Sequence, residues 1–65
     1  MKVYSITPGK DKLVGIVRTK VELQILLVGV RLSKENVIGY SIHGEFNGQV
    51  YSGEISVQDL TSLAS

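Results

Sequence analysis

Residues 37–57 read VIGYSIHGEFNGQVYSGEISV, and how this stretch folds decides the architecture. At its centre Asn47-Gly48 separates two runs that alternate apolar and polar residues. A two-residue hairpin loop needs positive φ at both central positions, which Asn and Gly supply at low steric cost. Folding there sets Phe46 opposite Gln49, Gly44 opposite Tyr51, Ile42 opposite Gly53, Tyr40 opposite Ile55 and Ile38 opposite Val57. Directly opposed residues share a face, so these pairs form one largely apolar side. Ser41, His43, Glu45, Ser52, Glu54 and Ser56 fall on the other. A slip of one residue would turn both apolar sets toward water, so turn and pattern specify a single register.

Outward from the hairpin, Lys2–Thr7 has the β-branched and aromatic content of a first strand. Pro8-Gly9 marks a turn, with Lys10-Asp11-Lys12 at its tip, and Leu13–Thr19 follows as a second strand. In Val21–Leu32, Val21, Leu23, Ile25 and Leu27 alternate with Glu22 and Gln24, which is strand periodicity. The phase then shifts near Gly29, as a bulge would make it do. A helix over 20–32 is the alternative, supported by the capping-box spacing of Thr19 and Glu22 and by Arg31 and Lys34 near its end. Three valines, an isoleucine and an interior glycine oppose it. So does its all-round apolar surface, which so short a chain has little means to cover. Ser56 and Asp59 have capping-box spacing, and Leu60 and Leu63 lie three apart, giving a helical turn at the C-terminus. The fold implied is mainly β: a small, strongly bent antiparallel barrel or sandwich of about five strands, SH3-like in size, with a short C-terminal helical turn. A helix at 20–32 would make it α+β.

The 65 residues make one domain, 1–65. A chain this short buries roughly 60% of its unfolded surface, and it has no cysteine to add a disulfide or a thiolate metal site. Yet 43% of it is hydrophobic, including Ile25-Leu26-Leu27-Val28. The surplus is easiest to place against a second copy of the chain, with Leu26, Val28 and Val30 as candidate self-association residues. All seven lysines and arginines lie in 1–34 beside only Asp11 and Glu22, a formal +5, whereas 35–65 carries four acids and no Lys or Arg. Such halves can steer an anionic partner, attract a second copy or neutralise each other within the fold. No segment is long and apolar enough to span a bilayer, and no signal-peptide pattern opens the chain, so a cytoplasmic setting without membrane contact is expected.

The inventory for chemistry is thin. His43 is the single histidine, opposite Ser52, and no glycine elbow or oxyanion segment accompanies it. One histidine with scattered carboxylates matches neither a zinc nor a calcium pattern, and no cofactor motif is present. Three of the four aromatics, Tyr40, Phe46 and Tyr51, fall on the hairpin's inner face, whereas single-strand binders display theirs on a basic surface. The expected role is therefore a non-catalytic interaction or assembly module, homo-oligomeric and serving a protein partner. The alternative is weak nucleic-acid binding through the basic N-terminal half, with Lys10, Lys12, Arg18, Lys20, Arg31 and Lys34 as the phosphate contacts.

One family likeness is present. Asn47-Gly48-x4-Gly53-x-Ile55-x3-Asp59 resembles the first motif of Sm-like RNA-binding proteins, a bent hairpin strand ending in an aspartate. The family places an asparagine shortly after that aspartate, where this chain has Thr61, Ser62 and Leu63. The likeness spans about thirteen residues, several of which hairpin chemistry alone accounts for, and it carries over no site.

Overall fold

The computed structural model describes residues 1–65. Its elements are β1 (Lys2–Thr7), β2 (Lys10–Ile16), α1 (Lys20–Ser33), β3 (Gly39–Phe46), β4 (Gln49–Ile55) and α2 (Val57–Leu63). The Asn47-Gly48 turn forms as expected, with φ of 52° and 80°. β3 and β4 pair in the expected register, from Phe46 opposite Gln49 to Tyr40 opposite Ile55. The ladder ends at Tyr40 and Ile55, two positions before Ile38 and Val57, because the Ser56 hydroxyl accepts from the Asp59 N–H (3.1 Å) and starts α2 there. Val57 thus leaves the core and is 40% exposed.

The barrel expectation is corrected. Four antiparallel strands form one open sheet in the order β2-β1-β3-β4, so the protein is mainly β but not a closed barrel. The cause lies in 20–33, where a helix stands in place of the expected bulged strand. With those fourteen residues withdrawn from the sheet, four strands remain, and α1 and α2 cover one of its faces. Local signals at both ends set α1. The Thr19 hydroxyl oxygen accepts from the Glu22 N–H (3.2 Å), and Lys34 ends the helix in the left-handed region, its N–H donating to the Arg31 carbonyl. Glu22 in the first turn and Arg31 in the last suit the helix dipole.

The core lies between sheet and helices. Val3 and Ser5 from β1 and Tyr40, Ile42 and Phe46 from β3 point inward and meet Leu23 of α1 and Leu60 of α2. The buried Ser5 hydroxyl donates to the Lys12 carbonyl (3.4 Å). Tyr51 and Ile55 are half-buried beside them, while His43, Glu45, Ser52 and Glu54 face water on the uncovered side, as the alternation requires. Gln24 of α1 donates from Nε2 to the Ala64 carbonyl (2.7 Å), tying the two helices. Met1 extends the sheet: its ammonium donates to the carbonyls of Val17 (2.7 Å) and Glu45 (3.1 Å). Gly44 has φ of 112°, and a Cβ there would lie 3.4 Å from the Met1 Cα, so a bare backbone suits this junction.

Candidate interaction surface

α1 has two apolar faces. Leu23 is fully buried, and Leu26, Leu27 and Val30 pack half-buried against the core. Val21, Ile25, Val28 and Leu32 lie four, three and four residues apart, the spacing of a single helical stripe. They are 62%, 67%, 53% and 75% exposed. At 100° per residue this stripe is diametrically opposite the buried set. Full burial of such a side chain is worth about 1.5–3 kcal/mol, so the stripe leaves about 4–8 kcal/mol of apolar transfer unrealised. The structure leaves this regular apolar helix face in contact with solvent.

Helix geometry redistributes the three expected self-association residues. Leu26 and Val30 belong to the chain's own packing, whereas Val28 lies in the exposed stripe. Strand periodicity had set Val28 beside Leu26. At helical spacing it joins Val21, Ile25 and Leu32 instead, and the run of 3–4 spacings in 21–32 was the signal that identifies them.

Beside α1, a groove of about 480 Å³ opens along the β2 edge, lined in part by Val14, Gly15, Ile16, Ile25 and Leu26. Its far end holds the Lys12–Glu35 ion pair (2.8 Å), the single salt bridge of the molecule, with the lysine mostly in water. An exposed pair of this kind contributes little to stability.

The uncovered face of the sheet is the second open surface. Tyr4, Ile6, Leu13 and Ile16 lie on it along β1 and β2, with Leu13 52% and Ile16 57% exposed. On the β3–β4 side it carries Ser41, His43, Glu45, Ser52 and Glu54. The hydroxyl of Ser41 is hydrogen-bonded to His43 Nε2 (2.8 Å), and the Tyr4 ring meets the imidazole edge-on at 6.0 Å. His43 therefore bonds its strand neighbour Ser41 rather than Ser52, and no carboxylate is hydrogen-bonded to the ring to orient it as a base.

The six candidate anion contacts do not gather in one place. Lys10 lies beside the β1–β2 turn, Lys12 is held by Glu35, and Arg31 and Lys34 stand at the C-terminal end of α1. Arg18 and Lys20 lie at the opposite end, where β2 leads into α1. The residues that resemble the Sm-like motif divide between two local devices, the Asn47-Gly48 turn and the Ser56 cap, and Asp59 lies inside α2 rather than ending a strand. No group of three or more metal-ligating side chains is present, and no helix is long and apolar enough to cross a membrane. No family model, curated protein or solved structure matches the chain.

Proposed function

We propose that this chain is a non-catalytic assembly module that associates with further copies of itself through the outer face of α1. The observation that carries the reading is the stripe Val21–Ile25–Val28–Leu32, apolar over the whole length of the helix and opposite its core face. Size adds support. These 65 residues contain no cysteine to form a disulfide and build a thin core, and burial between copies would offset that. The runner-up, phosphate binding by the basic residues, is weakened by their division between two ends of the molecule.

Light scattering over a range of concentrations tests the reading. Wild-type mass rises above the 7.1 kDa of one chain, and Val28→Glu returns it to one chain with unchanged secondary structure. Titration with fluorescent single-stranded oligonucleotides shows no salt-dependent binding that survives moderate ionic strength. A monomeric wild type that binds such oligonucleotides would replace this function with the runner-up.

A further inference from the structure

β2 is an edge strand, with β1 on one side and no strand on the other. Its hydrogen bonds show which backbone groups are spare. The Lys10 and Lys12 carbonyls accept from the Thr7 and Ser5 hydroxyls of β1, and both backbone groups of Val17 are bonded to Met1. The N–H and C=O of one strand residue point to the same side, and successive residues alternate. Asp11, Leu13, Ile16 and Arg18 therefore aim theirs away from β1, the bulge at Val14 adding one residue between Leu13 and Ile16. We propose that two copies pair antiparallel along this edge, β2 against β2, with Leu13 of each opposite Ile16 of the other. This contact adds to the α1 contact proposed above and rests on it for its strength, since so short a ladder is weak until another contact has brought two copies together.

The edge is complementary to itself. Setting Leu13 opposite Ile16 of the copy also sets Asp11 opposite Arg18, so every outward residue of one strand meets an outward residue of the other. No other register does this, and the one that sets Leu13 opposite Asp11 would bring Lys12 against Lys12. Both strands carry the bulge at opposed positions, so the ladder keeps its register through it. All four side chains fall on the uncovered sheet face: Asp11, Leu13 and Ile16 oppose Ile6, Tyr4 and Lys2 of β1, and Arg18 follows the buried Val17. Leu13 is 52% and Ile16 57% exposed, and the two-fold axis makes each cover the other twice. Leu13 and Ile16 also border the groove beside Ile25 of α1, so the copy's strand enters along an edge that the helix leaves open. The opposite edge is poorer: β4 aims Val50, Ser52 and Glu54 outward, and pairing all three with a copy sets the exposed Val50 opposite Glu54.

Charge follows the same register. Arg18 shares its corner with Lys2, the Met1 ammonium, His43 and Glu45, one carboxylate among several cations, and it forms no ion pair there. Asp11 of the copy brings that corner a second carboxylate, directly opposite Arg18. Of the remaining charges on the strand, Lys12 is held by Glu35 and meets Val17, and Lys10 at the rim meets Thr19. No lysine or arginine is set opposite another.

Cysteine cross-linking reads this register directly, because the chain has no cysteine of its own. Opposed residues of a hydrogen-bonded antiparallel pair have Cα atoms about 5.5 Å apart, within the span of a disulfide. Under mild oxidation, Leu13→Cys mixed with Ile16→Cys is expected to form disulfide-linked dimers at least about tenfold faster than either variant alone, since neither position lies opposite its own copy. Adding Arg18→Glu to both chains is expected to slow this at least about threefold, because the two-fold axis applies the change twice, and adding Asp11→Lys as well is expected to restore it. Should either cysteine variant fail to fold, which circular dichroism reports, Asp11→Cys with Arg18→Cys tests the same register. Equal rates for the mixture and for either variant alone overturn the β2 contact, and assembly through α1 stands if wild-type mass still exceeds one chain. A wild type that stays at one chain while the mixture cross-links selectively removes the α1 reading and leaves the β2 contact. A monomeric wild type with unselective cross-linking overturns both.

Discussion

Leu23 and Ile25 are two residues apart on one helix, and the structure assigns them opposite consequences. Leu23 is fully buried between the sheet and α2, and truncating such a leucine to alanine costs about 2–5 kcal/mol through lost transfer energy and the cavity left behind. Whole-domain stability at this size is about 3–10 kcal/mol, so Leu23→Ala removes a large share of it. Ile25 is 67% exposed, so about a third of the same loss applies, near 1 kcal/mol. Alanine is the better helix former by a few tenths of a kcal/mol, which brings the net cost of Ile25→Ala to about 0.5 kcal/mol. Urea unfolding followed by circular dichroism, at protein concentrations low enough to keep the chain monomeric, measures both. A cost for Ile25→Ala equal to or above that of Leu23→Ala would refute the orientation of α1, and with it the stripe on which the functional reading rests.

Other perturbations probe the elements around that helix. Gly44→Ala places a side chain at φ of 112°, where L residues are strained, and brings its Cβ against Met1; thermal unfolding is expected to show a loss of about 1–2 kcal/mol. Thr19→Ala removes the hydroxyl that accepts from the Glu22 N–H and costs about 1 kcal/mol in the same assay, whereas an unchanged midpoint would deny the cap a role. Ile55→Ala, at a half-buried position, costs about 1–2 kcal/mol rather than the larger value of a fully buried site. Desolvation pushes the Tyr40 phenol above its ordinary 10.0. The unfolded chain therefore ionises first, and the stability contributed by the neutral phenol is present below pH 10 and is lost as pH rises through the folded value. Phenolate absorbance should show one tyrosine ionising late, and Tyr40→Phe should abolish that step.

The hairpin was legible because two independent signals, a turn dipeptide and a period-two pattern on both sides of it, specify the same register. Its end was harder to read. Ile38 and Val57 continue the alternation, yet a single hydroxyl at Ser56 diverts the chain into α2. The helix at 20–33 was obscured by its own composition. Val21, Val28, Val30, Ile25 and Gly29 are poor helix formers, and apolar residues on every side hide the 3.6-residue period. Tertiary packing through Leu23, Leu26, Leu27 and Val30 outweighs those propensities, and the Thr19 and Lys34 caps set the limits. The objection that a chain of this size cannot cover an all-round apolar helix was physically sound: α1 forms, and one side of it is uncovered. What misled was the inference that it would therefore not form. The sheet patch of Tyr4, Ile6, Leu13 and Ile16 was out of reach of sequence, because it depends on the Val14 bulge that brings Leu13 and Ile16 to the same face.

Sedimentation equilibrium of the wild type beside Val28→Glu, from low to high micromolar concentration, tests the central claim most directly. The wild type should exceed the 7.1 kDa of one chain and grow with concentration, while the variant stays at one chain throughout with the same circular dichroism spectrum. A wild type that holds 7.1 kDa up to high micromolar concentration would contradict the claim.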